Sequence, residues 1–290
     1  MKKFTILIPV YNDWESLIKL LNKINSEIEK IKNVEFDCVV INDASTISAP
    51  KINKPMNFTS LKIINMKENR GHARCNAFGV RHISKEKKFN HLILMDGDGE
   101  DRPEEIKLLV EKAIEEENIS VVAKRIKRSE GLIFQLLYQT HKLITIIFTG
   151  KNVNFGNYSC LTRKDVEILA DKKSLWSSFS GSVKKHILKF NSINSTRGLR
   201  YFGPSKMSLF RLGIHSFSII AVFKRDVFLR SVIITIVASY FDSQTSILVP
   251  AIQFLLVLFC LLIYLVSLRE NKTSLINSDQ NQKNSESINA

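Results

Sequence analysis

From Ile247 to Leu268 the chain runs without one charged side chain. Wound as a helix at about 1.5 Å per residue, that stretch spans the roughly 30 Å hydrocarbon layer of a bilayer, so a transmembrane helix is expected there. Val227 to Phe241 is shorter and carries Arg230 near its start, where a long side chain can reach the interface. Asp242, Ser243, Gln244 and Thr245 between them read as a polar turn, which makes 227–268 a two-helix transmembrane hairpin. Lys224, Arg225 and Arg230 flank its entry and Arg269 and Lys272 its exit, so the positive-inside rule places both ends in the cytosol. The competing reading is a pair of buried helices in a soluble core. The tail 269–290, rich in Asn, Ser, Gln and Lys, is expected to be disordered.

Forty-two Lys and Arg against 28 Asp and Glu give a net charge of +14, which calls for an anionic partner: nucleic acid, phospholipid or a phosphorylated substrate. From Lys172 to Arg225 there are eleven Lys or Arg and no Asp or Glu. Because this basic stretch leads directly into the apolar helices, nucleic acid is the weakest of the three. Cys38, Cys75, Cys160 and Cys260 are scattered without a CxxC or a His/Cys cluster, so neither zinc nor a disulfide framework is suggested and the compartment reads as reducing. The opening MKKFTILIPVYND has an apolar core too short for a signal peptide; it reads as a first strand, on a domain that stays cytosolic beside an inner or plasma membrane.

The segment 1–130 alternates short apolar runs with longer amphipathic ones, as a mostly parallel sheet with crossover helices on both faces requires. Strands are expected at 4–10, 36–41, 61–65, 91–95 and 120–123, and helices at 14–31, 72–83 and 103–117. Ligands of such sheets bind where the carboxyl ends of the strands open into a crevice. The residues that end these runs are Tyr11-Asn12-Asp13, Asn42-Asp43-Ala44-Ser45 and Asp96-Gly97-Asp98. No GxGxxG follows the first strand, which excludes a nicotinamide-type Rossmann domain.

The segment HLILMDGDGEDRPEEI sets Asp96, Asp98 and Glu100 at alternate positions as a strand ends. Crowded carboxylates repel, and Mg²⁺ or Mn²⁺ relieves that cost by coordinating them together with substrate phosphates. Three rivals stand beside this. A calcium EF-hand loop wants Gly at its sixth position and Glu at its twelfth, where this chain has Asp101 and Lys107. A haloacid-dehalogenase phosphatase usually opens its domain with DxD, whereas three strands precede it here. An acidic turn capping the Pro103 helix is the third.

The order IPVYND, INDAS, NRGHARCNAFG and LMDGDGEDRPEEI resembles a family 2 glycosyltransferase of the GT-A fold. The later RYFGPSKM followed by a hairpin resembles its polyprenyl-phosphate branch, the relatives of dolichol-phosphate mannose synthase, over about residues 4–268. That resemblance implies a GT-A domain over 1–205, a basic and apolar interfacial segment over 206–226, and the hairpin. It makes Pro9, Tyr11, Asp13 and Asp43 the pocket for base and ribose of a UDP- or GDP-sugar. Asp96 and Asp98 become the DxD pair touching ribose and metal, with Glu100 where the branch usually has a metal-binding Gln. Arg200, Ser205 and Lys206 match the R-x-x-G-x-S-K element that closes over the donor pyrophosphate. Metal, Arg and Lys would oppose the charge that grows on the departing diphosphate.

A hydroxyl acceptor needs a general base; a phosphate acceptor, already ionised, needs none. The region where a base is expected in hydroxyl-acceptor relatives is the carboxylate-free stretch 172–225, which favours a polyprenyl phosphate or other lipid-linked acceptor and, by resemblance, inversion. One departure stands against the branch: where its members carry a G-D-F-R-like strand, this chain reads Phe155-Gly156-Asn157-Tyr158-Ser159, leaving Asn157 to contact the acceptor. Two readings compete with this one, a transferase acting on a hydroxyl of a lipid-linked glycan in surface polysaccharide synthesis and a non-catalytic membrane-tethered binding protein. A homo-oligomer is compatible with all three.

Overall fold

The computed structural model describes residues 1–86, 88–127, 132–204, 208–241 and 247–289. Its elements run β1 (Lys2–Val10), α1 (Trp14–Ile28), β2 (Val34–Asn42), β3 (Ser60–Met66), α2 (His72–Ser84), β4 (His91–Leu94), α3 (Ile106–Glu115), β5 (Ser120–Lys127), α4 (Leu132–Thr149) and β6 (Phe155–Thr162). The chain continues through α5 (Arg163–Ala170), α6 (Phe179–His186), β7 (Phe190–Thr196), α7 (Leu209–Ala221), α8 (Lys224–Tyr240), α9 (Leu248–Ser267), α10 (Lys272–Ile276) and β8 (Gln282–Ile288).

One eight-stranded sheet, in the order β7-β5-β6-β4-β1-β2-β3-β8, organises the molecule. The pairs β1–β2, β1–β4, β2–β3 and β5–β7 are parallel; β4–β6, β5–β6 and β3–β8 are antiparallel. Because crossover helices cover both faces, the central strands are apolar on both sides rather than alternating with polar residues. In β1, Phe4, Ile6, Ile8 and Val10 enter the layer shared with α1 and α3, while Leu7 enters the layer shared with α2, α5 and α6. The sheet and helices expected over 1–130 are present.

The tail is a correction. Residues 272–288, expected to be disordered, form α10, a short 3₁₀ turn and β8, which pairs antiparallel with β3 from Leu61↔Ile288 onward. An open strand edge offers a row of unpaired N–H and C=O groups, and a polar segment can fill it through its backbone alone. Side chains then secure it: Asn65 donates to the amide oxygen of Asn284 at 2.8 Å, and Leu275 is wholly buried. Composition registers few apolar residues but is blind to backbone pairing. The α/β domain therefore includes the carboxyl end of the chain as well as the amino-terminal stretch expected to form it alone.

Beyond the sheet, α4, α7, α8 and α9 pack together around Ile220, Ala221, Val227 and Ile263. Among the described residues, one helix, beginning at Leu248, is long and apolar enough to cross a membrane by length and composition. Phe254, Leu255, Val257, Leu261 and Leu265 along it are exposed. The polar turn expected at 242–245 lies outside the described residues.

Candidate active site

The carboxyl ends of β1, β2 and β4 open on one rim, and hydrogen bonds lock their loops together. Asp43 N donates to Val10 O at 2.9 Å, and Asn12 Oδ1 accepts from Thr46 N at 2.8 Å and Ile47 N at 3.0 Å. Asn12 and Ala44 sit at positive φ, 50° and 55°, a conformation that such tight loops impose and that asparagine tolerates better than alanine. Pro9 pairs with Ile41 beneath this rim, and Tyr11 projects from it with an exposed ring.

Asp43 is buried, and both carboxylate oxygens are taken by backbone: Oδ1 accepts from Arg70 N at 3.1 Å and Oδ2 from Gly71 N at 2.9 Å. Those amides lead into α2, so Asp43 fixes the turn at the amino end of that helix. Burial raises its pKa against the pull of these hydrogen bonds.

The Asp96–Glu100 loop follows β4, and residues 196–202 lie across it. Gly198 N donates to Glu100 O at 2.8 Å and Tyr201 N to Asp98 O at 2.9 Å. Gly99 makes this approach possible. Its φ is +89°, and a Cβ there would lie 2.5 Å from the Tyr201 ring. Arg200 Nη1 donates to Asp98 Oδ2 at 2.9 Å, its Nη2 pairs with Asp13, and its Nε donates to Phe202 O at 2.9 Å. Asp13 stands at the N-cap of α1 yet makes no cap bond, because its carboxylate serves Arg200 instead. Glu100 pairs with Arg197.

Asp96 faces the other way. Its Oδ1 accepts from Asn157 Nδ2 at 3.1 Å and lies 3.0 Å from His72 Nε2, while its own N–H donates to Asp101 Oδ2 at 2.9 Å. Burial works to raise the Asp96 carboxyl, but the charge and hydrogen bond of His72, with Arg197 and Asn157, hold it well below the ordinary carboxylate range. Burial and the Asp96 charge push Asp101 up to about 7. Burial also raises Asp98 and Glu100.

The structure thus gathers Asp13, Asp96, Asp98, Glu100, Asn157 and Arg200 in one site, with Pro9, Tyr11 and Asp43 on its rim. Ser205 and Lys206 lie outside the described residues. Among the described residues, no three Asp, Glu, His or Cys side chains converge on a point that could hold a metal ion unaided, since Arg197 and Arg200 draw Glu100 and Asp98 apart. Sequence reasoning passed over two members, His72 and Arg197. His72 follows the glycine that opens α2, where side chains face the strand ends; Arg197 sits shortly before Arg200 in the same crossing segment.

The chain matches the family model for glycosyl transferase family 2 over residues 5–178, more than half its length. The undecaprenyl-phosphate 4-deoxy-4-formamido-L-arabinose transferase of Salmonella choleraesuis (strain SC-B67) is 28% identical over 222 residues, 73% of this chain. The match spans 64% of that relative, just under two thirds of its length. Among solved structures, glucosyl-3-phosphoglycerate synthase from Mycobacterium tuberculosis with Mn²⁺, UDP-glucose and phosphoglyceric acid superposes with a TM-score of 0.52 at 12% identity, covering 78% of this chain and 80% of its own. The same synthase with Mn²⁺, UDP and phosphoglyceric acid gives 0.51 at 13%, covering 78% of each chain. At such identities the likeness is one of fold, and the fold is the GT-A type that the motif order implied.

Proposed function

We propose, starting from the fact that this chain belongs to glycosyl transferase family 2, that it transfers a hexose from a nucleotide sugar to a polyprenyl phosphate at the cytosolic face of a membrane, with inversion at the anomeric carbon. The observation that carries the reading is the bridge from Arg200 to Asp13 and Asp98: it joins the rim that would receive the nucleotide to the acidic loop that would face its phosphates. The acceptor class is proposed from the Salmonella relatives, which are named for transfer to undecaprenyl phosphate.

In this reading Tyr11 offers a ring face to the base, and Asp13 and Asp43 border the base and ribose. Asp96 and Asp98 present hard carboxylate oxygens, the donors that Mg²⁺ and Mn²⁺ take, and such ions are commonly held by one or two carboxylates plus substrate phosphates, so the residues present fit one. Asp96 and Asp98 would hold it, with Glu100 joining on release from Arg197. Bound there, it would neutralise charge on the departing diphosphate. Arg200 supplies a fixed positive charge beside the same phosphates, and the family resemblance assigns Ser205 and Lys206 the role of closing over them. Asn157 and His72 orient Asp96. No residue is asked to deprotonate the acceptor, because a phosphate arrives ionised.

The ends of the helical pair support anchoring. Lys224 Nζ, at the start of α8, donates to Ser267 Oγ, at the end of α9, at 3.1 Å. If α9 crosses the bilayer, a chain whose entry and exit stand side by side must cross with α8 too, which favours the hairpin with both ends cytosolic. Helix α4 adds to the apolar surface, with Leu136, Leu137 and Leu143 exposed, and with the basic segment before α8 it would rest at the headgroup level. The reading is tested by offering undecaprenyl phosphate and its dephosphorylated alcohol side by side to purified protein with UDP- and GDP-sugars. Transfer to the phosphate alone supports it, and transfer to the alcohol or to a glycan hydroxyl would replace the acceptor.

A further inference from the structure

The chain returns from α9 to the α/β domain, and the place where it lands is the donor-side loop. Asn281 is 3% exposed and grips Glu68 from both sides: its Nδ2 donates to Glu68 O at 3.0 Å, and its Oδ1 accepts from Glu68 N at 3.2 Å. Lys67 N donates to Asn281 O at 2.7 Å, and Lys67 Nζ donates to Gln280 O at 2.8 Å. Glu68 in turn holds Arg70, whose Nε donates to Glu68 Oε1 at 2.8 Å. The backbone amides of Arg70 and Gly71, further along that loop, are those taken by Asp43. A continuous set of hydrogen bonds therefore runs from the segment after α10 to the carboxylate on the nucleotide rim. Ser278 and Leu275, just before Asn281, are almost wholly buried, so the segment is seated rather than resting on the surface.

We propose that Asn281 is a positioning residue for the nucleotide-sugar donor: by fixing Glu68 it fixes the 68–71 turn, and through that turn the orientation of Asp43. This rests on reading Asp43 as part of the donor pocket. Donor binding then depends on a segment that the chain supplies only after it has passed through both membrane helices, so an enzyme without its folded membrane end is a poor binder of donor. Asn281→Ala removes both hydrogen bonds that hold the Glu68 backbone at once, so the effect should be readable in a single variant.

The experiment uses the full chain in detergent micelles and two variants, Asn281→Ala and Lys85→Ala. Lys85 pairs with Asp279 of the same segment and lies at the far end of α2 from the 68–71 turn, so its loss reports general loosening of the tail. Hydrogen exchange is followed at the Glu68, Arg70 and Gly71 amides, and the affinity for UDP and GDP is measured by calorimetry. Asn281→Ala is expected to speed exchange in the turn and to weaken nucleotide binding by roughly three- to tenfold, the worth of one or two hydrogen bonds, with KM for the sugar donor rising and kcat nearly constant. Lys85→Ala is expected to leave all of these near the parent values. Unchanged nucleotide affinity in Asn281→Ala, or equal loss in both variants, overturns the proposal. Failure of the parent chain itself to bind either nucleotide overturns the glycosyltransferase reading, and this proposal with it.

Discussion

Arg200 and Asp98, far apart in sequence, are joined by a 2.9 Å hydrogen bond from Nη1 to Oδ2. The other terminal nitrogen of the same guanidinium reaches Asp13, so one side chain ties the first loop of the sheet to the acidic loop. A lysine, with a single compact ammonium, cannot span both carboxylates. Arg200→Lys should therefore lose about 10²-fold in kcat/KM for donor, the usual cost of removing one preorganised charge donor, measured as initial rate of sugar transfer. A loss under about threefold would remove Arg200 from the donor site.

Gly99 allows Tyr201 to lie against the acidic loop. Gly99→Ala combines a left-handed backbone with a collision against that ring. It should cost about 1–3 kcal/mol of stability and displace residues 197–202, seen as a lowered thermal midpoint together with weaker nucleotide binding. A variant with parent-like stability and binding would show that the crossing segment is not held there.

His186 carries a pKa lowered to about 4 from 6.5, chiefly by burial, with Lys185 and Lys172 adding to it. A histidine depressed in the fold stabilises it above its unfolded pKa, and that contribution is lost as pH falls from about 6.5 toward 4. His186→Gln should flatten the pH dependence of the unfolding midpoint across that window while leaving it near parent at about pH 8. Equal slopes would show that the histidine is free to charge in the fold.

The apolar outer face of α9 predicts the fate of a charge placed on it. Val257→Arg, on an exposed mid-helix position, should cost about 2.5–3.5 kcal/mol of insertion and shift protein out of the carbonate-resistant membrane fraction. Ile247→Cys should react with an impermeant maleimide only from the outer face of intact cells, and Lys272→Cys, at an exposed position just after α9, only after permeabilisation. Labelling of both from one side would rule out a hairpin.

Much of the sheet was legible because its signals are local. Apolar runs such as Phe4–Val10 and His91–Met95 end in polar loops, and a buried strand cannot read otherwise. The acidic loop was legible as a cluster, but its partners were not: nothing in the spacing of Arg197 and Arg200 says that they fold back over Asp98 and Glu100, since that contact is set by the antiparallel return through β6 and the parallel pairing of β7 with β5. Helix α4 escaped because apolar residues stand on its outer face, Leu136, Leu137, Leu143, Ile146 and Ile147, as well as on the face where Ile144 and Phe148 pack inward, so no one-sided pattern marks it. Strand β8 escaped because its pairing is made by backbone, and Gln-Lys-Asn-Ser-Glu-Ser carries no apolar pattern to announce it.

The central claim is that the chain transfers sugar to a lipid phosphate. It is tested most directly by incubating purified protein with undecaprenyl phosphate, a divalent metal and radiolabelled UDP- or GDP-sugars, then counting label extracted into organic solvent. Label in the lipid with the parent chain and none with Asp98→Asn is the predicted result. Nucleotide binding without label in the lipid, across the whole donor panel, would contradict it.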